Sequence, residues 1–439
     1  MTSWHRYGSV LGLAACILFT AAAAGIAQPT GGHLPITSPP QATATPNPWI
    51  GYSHSAADPP TIGTEGSVLS PNSTLDEVPV VEVPDSSWAP TAWGVCPMAP
   101  YGTRWFGGIY ALGMTRKAGD SVWLSYDTSE PAGHLLVSRD ADDQWQSGNE
   151  FRFGRTIGAG RYALEVDLWG VFVKRSEVDL TSGGIGSLNS ALDFGALIAD
   201  GEAGGLGAAA PVNAFFSGAS LHQLRRSYEF QNIELNLLRL PLWGENLHAG
   251  SPTGLRCHGL LGIRFFRSGD RLEYATDLTD GVLNTDNDEM LYSIDVKNYL
   301  TGVQLGGRAD YLLWRRCSVY ADVKLGLYGN HISHRSLIGN GNGSAVVGPA
   351  ATANAGRRFD IRSTKNDVAL LGELRVGLDY QFTSTWRLTG GYRAVGLSGV
   401  ALPTAQMPRN FADIDGVGQI DSTGSLIVHG FLAGLECNF

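Results

Sequence analysis

Beyond Thr103 one pattern dominates this chain: apolar and polar residues alternate in runs of roughly ten, the signature of strands with two unlike faces. Tyr162, Leu164, Val166, Leu168 and Phe172 share one face of such a run, against Ala163, Glu165, Asp167, Trp169 and Val171. Leu374, Val376, Leu378, Tyr380 and Phe382 alternate with Glu373, Arg375, Gly377, Asp379 and Gln381. Val319, Ala321, Val323, Leu325 and Leu327 alternate with Tyr320, Asp322, Lys324, Gly326 and Tyr328. Successive side chains of a strand point to opposite faces, so each run has a greasy side and a polar side. Charged residues make up only 16% of the chain, below the roughly one quarter of ordinary soluble domains, and Gly is abundant at 57 residues. Both suit a β protein with many tight turns.

The spacing predicts about ten strands, near 104–116, 148–157, 161–174, 226–238, 254–276, 289–312, 318–330, 364–382, 386–399 and 424–439. The connections between them alternate. Those at 158–160, 239–253, 313–317 and 383–385 are mostly short; those at 117–147, 175–225, 277–288, 331–363 and 400–423 are mostly long. Outer-membrane barrels pair short periplasmic turns with long extracellular loops and have an even strand number. The expectation is an all-β fold: an antiparallel up-and-down transmembrane β-barrel of about ten strands (range about 10–14), because the long connections have room for extra hairpins. Both chain ends then fall on the periplasmic side.

A soluble β-sandwich also alternates, so the two faces must be compared. The polar face carries Glu165, Asp167, Glu234, Arg256, Arg264, Arg308, Asp310, Asp322, Lys324, Glu373, Arg375, Asp379, Arg387, Arg393 and Glu436. Of these, Glu165, Asp167, Arg264, Arg308, Asp322, Lys324, Glu373, Arg375, Asp379 and Glu436 are the main candidates to line a lumen. The other face is almost free of charge. Phe106, Tyr162, Tyr380, Phe382, Trp386 and Phe439 fall at the expected periplasmic ends of the apolar faces, as an interfacial girdle would. The last strand, Phe431 to Phe439, ends on an aromatic residue with Gly434 five positions before it. Phe431, Ala433, Leu435, Cys437 and Phe439 share a face. This resembles the signal that the barrel assembly machinery reads, although Cys437 stands where an aromatic is usual.

The N-terminus reads as a secretory signal over residues 1–27. His5 and Arg6 precede an apolar run from Val10 to Ala24, and Gly25-Ile26-Ala27 offers a small-residue cleavage site before Gln28. Leu13-Ala14-Ala15-Cys16 is a rival lipoprotein box, disfavoured because Cys16 sits inside the apolar run. Residues 28–102 are rich in Pro, Ser and Thr and lack core-forming periodicity; they are expected to be a disordered leader. Residues 103–439 form the barrel. No later segment has the roughly 20 consecutive apolar residues of a membrane helix. Cys96, Cys257, Cys317 and Cys437 are far apart and form no C-x-x-C pair, which leaves no zinc or redox motif.

Several blocks resemble the β-barrel porin family abundant in planctomycete-type bacteria: RWFGGIYALGMTR from Arg104, SRDADDQWQSGNEFRFGRTI from Ser138, ELNLLRLPLW from Glu234, GLLGIRFFRSGDRLEY from Gly259 and VKNYLTGVQLGGRADY from Val296. They are specific in combination and weak singly. The resemblance implies an outer-membrane barrel and no reaction.

No enzyme motif is present: no G-x-S-x-G, no H-E-x-x-H, no phosphate loop. His331 and His334 form an H-x-x-H in an expected surface loop, short of the three or four ligands of a stable metal site. Asp277, Asp280, Asp286, Asp288 and Glu289 cluster without EF-hand spacing and read as a solvated hairpin tip. His222, His258 and His429 lie near strands, but no catalytic triad assembles from spacing. No enzyme activity and no cofactor are expected. At a net charge of −10, nucleic acid is not an expected partner. The expected partners are outer-membrane lipid, the assembly machinery and small solutes. The polar face is nearly balanced in sign, and about ten strands enclose an interior that side chains can fill. Charges there should pair. The sequence therefore points to a narrow porin-like channel or a rigid scaffold displaying surface loops, with the 175–225 loop able to fold over the mouth. The alternatives are a soluble exported binding or adhesion protein and a barrel enzyme.

Overall fold

The computed structural model describes residues 105–118, 121–128, 135–142, 145–182, 186–201, 209–243, 254–284, 286–314, 316–351 and 353–439. The expected signal segment, the leader, Cys16 and Cys96 lie outside these residues. Ten long strands form the wall: β1 (Trp105–Ala118), β2 (Gln146–Ile157), β3 (Tyr162–Thr181), β4 (Leu221–Trp243), β5 (Leu255–Asp277), β6 (Glu289–Trp314), β7 (Cys317–Asn340), β8 (Asp360–Gln381), β9 (Trp386–Val400) and β10 (Gly424–Asn438). Each pairs antiparallel with its sequence neighbour, and β10 pairs with β1 from Phe106↔Asn438 to Ala118↔Leu426. The sheet is thus a closed barrel with strand order equal to chain order. The seam is finished by reciprocal backbone hydrogen bonds: Trp105 N–H donates to the Phe439 carbonyl at 2.9 Å, and Phe439 N–H to that of Trp105 at 3.0 Å.

Strand number and connection pattern agree with the alternation. The extra strands inside the long connections are short: Trp123–Asp127 and Leu188–Ser190 stay out of the barrel wall, and Gly343–Ser344 only folds back on the top of β7. The tight β2–β3 turn needs left-handed backbone at Gly158 (φ 59°), Ala159 (φ 57°) and Gly160 (φ 80°), which two glycines make easy.

The wall is lopsided. β4, β5, β6 and β7 have 23, 23, 26 and 24 residues, whereas β9, β10, β1 and β2 have 15, 15, 14 and 12. The extra length lies at the long-loop end, where the strands outrun their predicted limits. β3 continues to Thr181, β4 starts at Leu221 and β7 runs on to Asn340. His331 and His334, expected in a loop, are therefore on β7. His331 faces outward beside Asn366, 2.7 Å away, and His334 is buried inward beside Ser363 at 3.2 Å. Three residues apart on a strand, they point to opposite faces and cannot share a metal.

Candidate functional site: the filled barrel interior

The barrel reverses its polarity along its own strands. In the short-turn half the outward residues are apolar and exposed: Ile263 at 57%, Val303 at 58%, and Leu305 and Leu325 at 65%. Their inward neighbours Arg264, Gln304, Arg308 and Lys324 are at most 3% exposed. In the long-loop half the same strands present Arg267, Arg271, Asp295, Lys297 and Arg335 outward, and bury Leu272, Tyr274, Tyr292, Ile294, Val296, Ile332 and Ile338 inward. The outward apolar stretch of β6 runs eleven residues, Val303–Leu313. At about 3.4 Å per residue and a tilt of about 40° it is roughly 26 Å tall, the height of a bilayer's apolar band. The remainder of β6 continues for roughly 36 Å beyond it.

At the short-turn rim Trp105, Tyr162, Tyr311, Trp314, Tyr380, Phe382 and Phe439 are exposed in a ring. Phe106, expected there, instead points inward and is buried. β1 is apolar on both faces, so alternation could not assign its parity; Gly154 on β2 supplies the space, because a Cβ there would overlap the Phe106 ring. Trp105 takes the rim position and stacks on Phe153 with ring centroids 5.0 Å apart. Trp386 is half-buried.

Inside the short-turn half, charges reach across the lumen. Arg264 of β5 meets Glu373 of β8 at 2.8 Å, Lys324 of β7 meets Glu234 of β4 at 2.8 Å, and Arg375 of β8 meets Glu150 of β2 at 3.2 Å. Arg393 holds Glu150 (2.8 Å) and Glu373 (3.1 Å) together. Arg308 bridges Asp310 (2.8 Å) and Asp379 (2.6 Å), while Glu436 accepts from both Arg387 and Tyr110. Partners separated by at least two intervening strands span the interior and do not merely line it. Asp167 lies 3.6 Å from Arg152 and 3.8 Å from Lys324. Glu165 and Asp322 are buried in the same layer, and each has a carboxylate oxygen without a hydrogen-bond partner among the described residues. All ten main lumen candidates are buried, whereas Arg256 is half-buried near the rim. Gly434 also faces inward, where a Cβ would strike the Tyr110 ring, and Phe439 is 65% exposed on the rim.

An apolar layer that includes Trp169, Phe230, Phe266, Leu300, Leu371 and Val395 follows above. A neutral quartet comes next: Arg116 and Arg226, from β1 and β4, each bind both Asp142 and Asp270 at 2.7–3.2 Å. Asp142 belongs to the β1–β2 connection, so this quartet ties a loop to the wall.

The upper interior is a hydrophobic core built jointly by wall and loops. Leu124, Leu136, Phe194, Leu197, Val212, Phe215, Phe216, Phe359, Phe411, Ile414 and Val417 come from the connections and pack on the inward Leu272, Tyr274, Tyr292, Ile294 and Ile338. Phe194 is central, with ring centroids 4.6 Å from both Phe216 and Phe411 and 5.8 Å from Tyr292. The described residues of the 182–220 connection do fold into the mouth. Ser125 of the cap, His222 of β4 and Tyr274 of β5 form a buried cluster (Ser125 Oγ to His222 Nδ1, 2.6 Å; Tyr274 Oη to His222 Nδ1, 3.0 Å) that pins cap to wall. His258 is buried on β5, and His429 lies on β10 against Tyr392 at 2.6 Å.

Alternation alone missed these core residues. The signal was present, in the exchange of polarity between faces: charge moves outward from Arg267 up β5 as Phe266, Leu272 and Tyr274 take the inner face. At the β5–β6 tip the acidic residues serve their own turn. Asp277 accepts the N–H groups of Thr279 (3.1 Å) and Gly281 (2.6 Å), and Asp280 that of Val282 (2.9 Å). Among the described residues Cys257 and Cys317 are free thiols.

No family model matches this chain. No curated protein matches it either. Solved structures with similar architecture include the outer membrane protease OmpT from Escherichia coli (10% identity, TM-score 0.38, covering 79% of this chain and 99% of that one). A major outer membrane protein from Thermus thermophilus is 9% identical (TM-score 0.27, 77% and 100% covered), and the P. putida toluene transporter TodX 8% identical (TM-score 0.26, 80% and 91% covered). The assignment of this chain as a closed ten-stranded β-barrel rests on its own strand register.

Proposed function

We propose that this chain is an outer-membrane β-barrel whose filled lumen makes it a rigid scaffold for a folded extracellular cap, rather than an open diffusion pore. The observation that carries this is the reversal of polarity along single strands. A soluble barrel has no reason to expose Leu305 and Leu325 while burying Arg264 and Lys324; a barrel with lipid around one half and water around the other has both reasons at once. The ion pairs that cross the lower lumen and the hydrophobic core above them favour display over transport. In this reading the short turns and both chain ends face the periplasm, the cap faces outward, and Gly434 and Phe439 belong to the strand that the assembly machinery reads. The partners are lipid and that machinery; the protein carries out no reaction. The sequence blocks that resemble planctomycete-type barrel porins imply the same architecture.

Membrane extraction tests it. The protein should stay in the pellet after alkaline carbonate and run faster on a gel when unheated. Release by carbonate contradicts the proposal and supports the soluble alternative.

A further inference from the structure

The lopsided wall leaves two strand edges open. β3 pairs with β2 only as far up as Val171↔Gly148, and β8 pairs with β9 only as far up as Leu370↔Ser398. Residues 173–181 of β3 keep their β4 partner, and residues 361–369 of β8 keep their β7 partner. Among the described residues neither stretch has a backbone partner on its other side. Both edges lie above the apolar band, on the side where β9, β10, β1 and β2 are short.

Three properties select the occupant. The first is direction: β3 rises from a short turn and β8 descends to one, so two copies inserted the same way present them antiparallel. The second is height. Val173 lies eleven residues after Tyr162, and Ala369 twelve residues before Gln381, so the free stretches are level. The third is charge. Glu177 and Asp179 project outward from the β3 edge, where Arg225 and Gln223 of β4 reach them, and Arg362 projects outward from β8 beside Asp360. When residues of equal height are matched, Asp179 falls opposite Thr364 and diagonal to Arg362, within the range at which opposite charges on paired strands attract. The wall below also suits close approach. Gly390, Ala433 and Ala111 lie side by side on β9, β10 and β1. The outward faces of Gly113, Gly390 and Gly396 have no atom within 4 Å. Phe431, 62% exposed, stands beside this hollow. Hollow and projection on one face are what a two-fold interface requires.

We propose that a second copy of this chain docks on the short wall, with the open upper edge of β8 pairing antiparallel with the partner's β3 and the reverse pairing completing a two-fold dimer. The inference rests on the membrane orientation proposed above. It goes beyond that reading by assigning a partner to one side of the barrel.

The test is a cysteine pair, Asp179→Cys with Thr364→Cys, oxidised in intact outer membranes. The expected product is a covalent species of twice the monomer mass, absent from either single variant. A chain that still resists carbonate and shifts on the unheated gel, yet stays monomeric, overturns the dimer and leaves the membrane reading standing. Cross-linking to a different protein also overturns it. A chain that carbonate releases overturns both.

Discussion

The lower and upper halves of β4 to β7 are built from the same strands in opposite senses. Below, Leu235, Ile263, Leu305 and Leu325 face out and Glu234, Arg264, Arg308 and Lys324 face in; above, Arg225, Arg271, Lys297 and Arg335 face out and Leu224, Leu272, Val296 and Ile332 face in. The difference teaches that solvent, and not strand chemistry, decides which face is the core. Where, as proposed, lipid surrounds the wall, the polar residues retreat inward and must satisfy one another, because a buried unpaired charge is costly. Where water surrounds it, the hydrophobic effect fills the interior with loop side chains. The two interiors should therefore fail in different ways.

The largest effect is expected from breaking the lower network. Glu373→Leu leaves Arg264 and Arg393 short of a partner and should cost about 3–5 kcal/mol, read as a lower denaturant midpoint for loss of the unheated gel form. An unchanged midpoint would mean that water, not Glu373, neutralises those arginines. In the upper half, Phe411→Ala removes a ring from the aromatic cluster around Phe194 and should cost about 3–5 kcal/mol of cap packing. The damage should stay local: faster proteolysis and hydrogen exchange in 186–220 and 401–423, with the gel form intact. Loss of the whole barrel would show that the halves fold as one unit.

One strand can sharpen the comparison. Leu325→Arg, on the outer face of β7 in the apolar band, should cost about 2–4 kcal/mol, whereas Ser333→Arg, eight residues up the same face, should stay within about 0.5 kcal/mol. Equal costs would remove the bilayer from the account.

The smallest effect concerns acid. Asp193 in the cap accepts the Gly195 N–H at 2.9 Å and the Asn213 amide at 3.0 Å, which hold its carboxyl below the usual range. The fold favours its ionised form, so its contribution is complete above the ordinary Asp pKa of about 3.9 and fades as pH falls toward the lower folded value. Because Asp193 is largely exposed, Asp193→Asn should only slightly flatten the acid sensitivity of cap proteolysis.

Much of the lower barrel was legible in the sequence because its alternation is clean. Runs such as Tyr162–Phe172 and Val319–Leu327 announce both the strand and its inward charges. β1 was less legible: WFGGIYALGM is apolar on both faces, so only the Gly154 gap on a neighbouring strand tells Phe106 to turn inward. The upper halves were harder still. Their alternation continues with its sense inverted, which blurs any single-face reading across Phe266 or Tyr299 and moved strand ends such as Asn340 into expected loops. The cap could not be read at all, since Phe194, Phe216 and Phe411 meet across long separations in connections without periodicity. Which acid pairs with which base across the lumen likewise follows from closure of the barrel, not from spacing.

In the proposed scaffold the interior is sealed twice, by charge below and by a hydrophobic core above. Single-channel recording of the purified, gel-shifting barrel in a planar bilayer tests this most directly. The expected result is insertion, verified by carbonate resistance of the same preparation in vesicles, with no stepwise conductance. Stable, uniform conductance steps from the unmodified protein would contradict it.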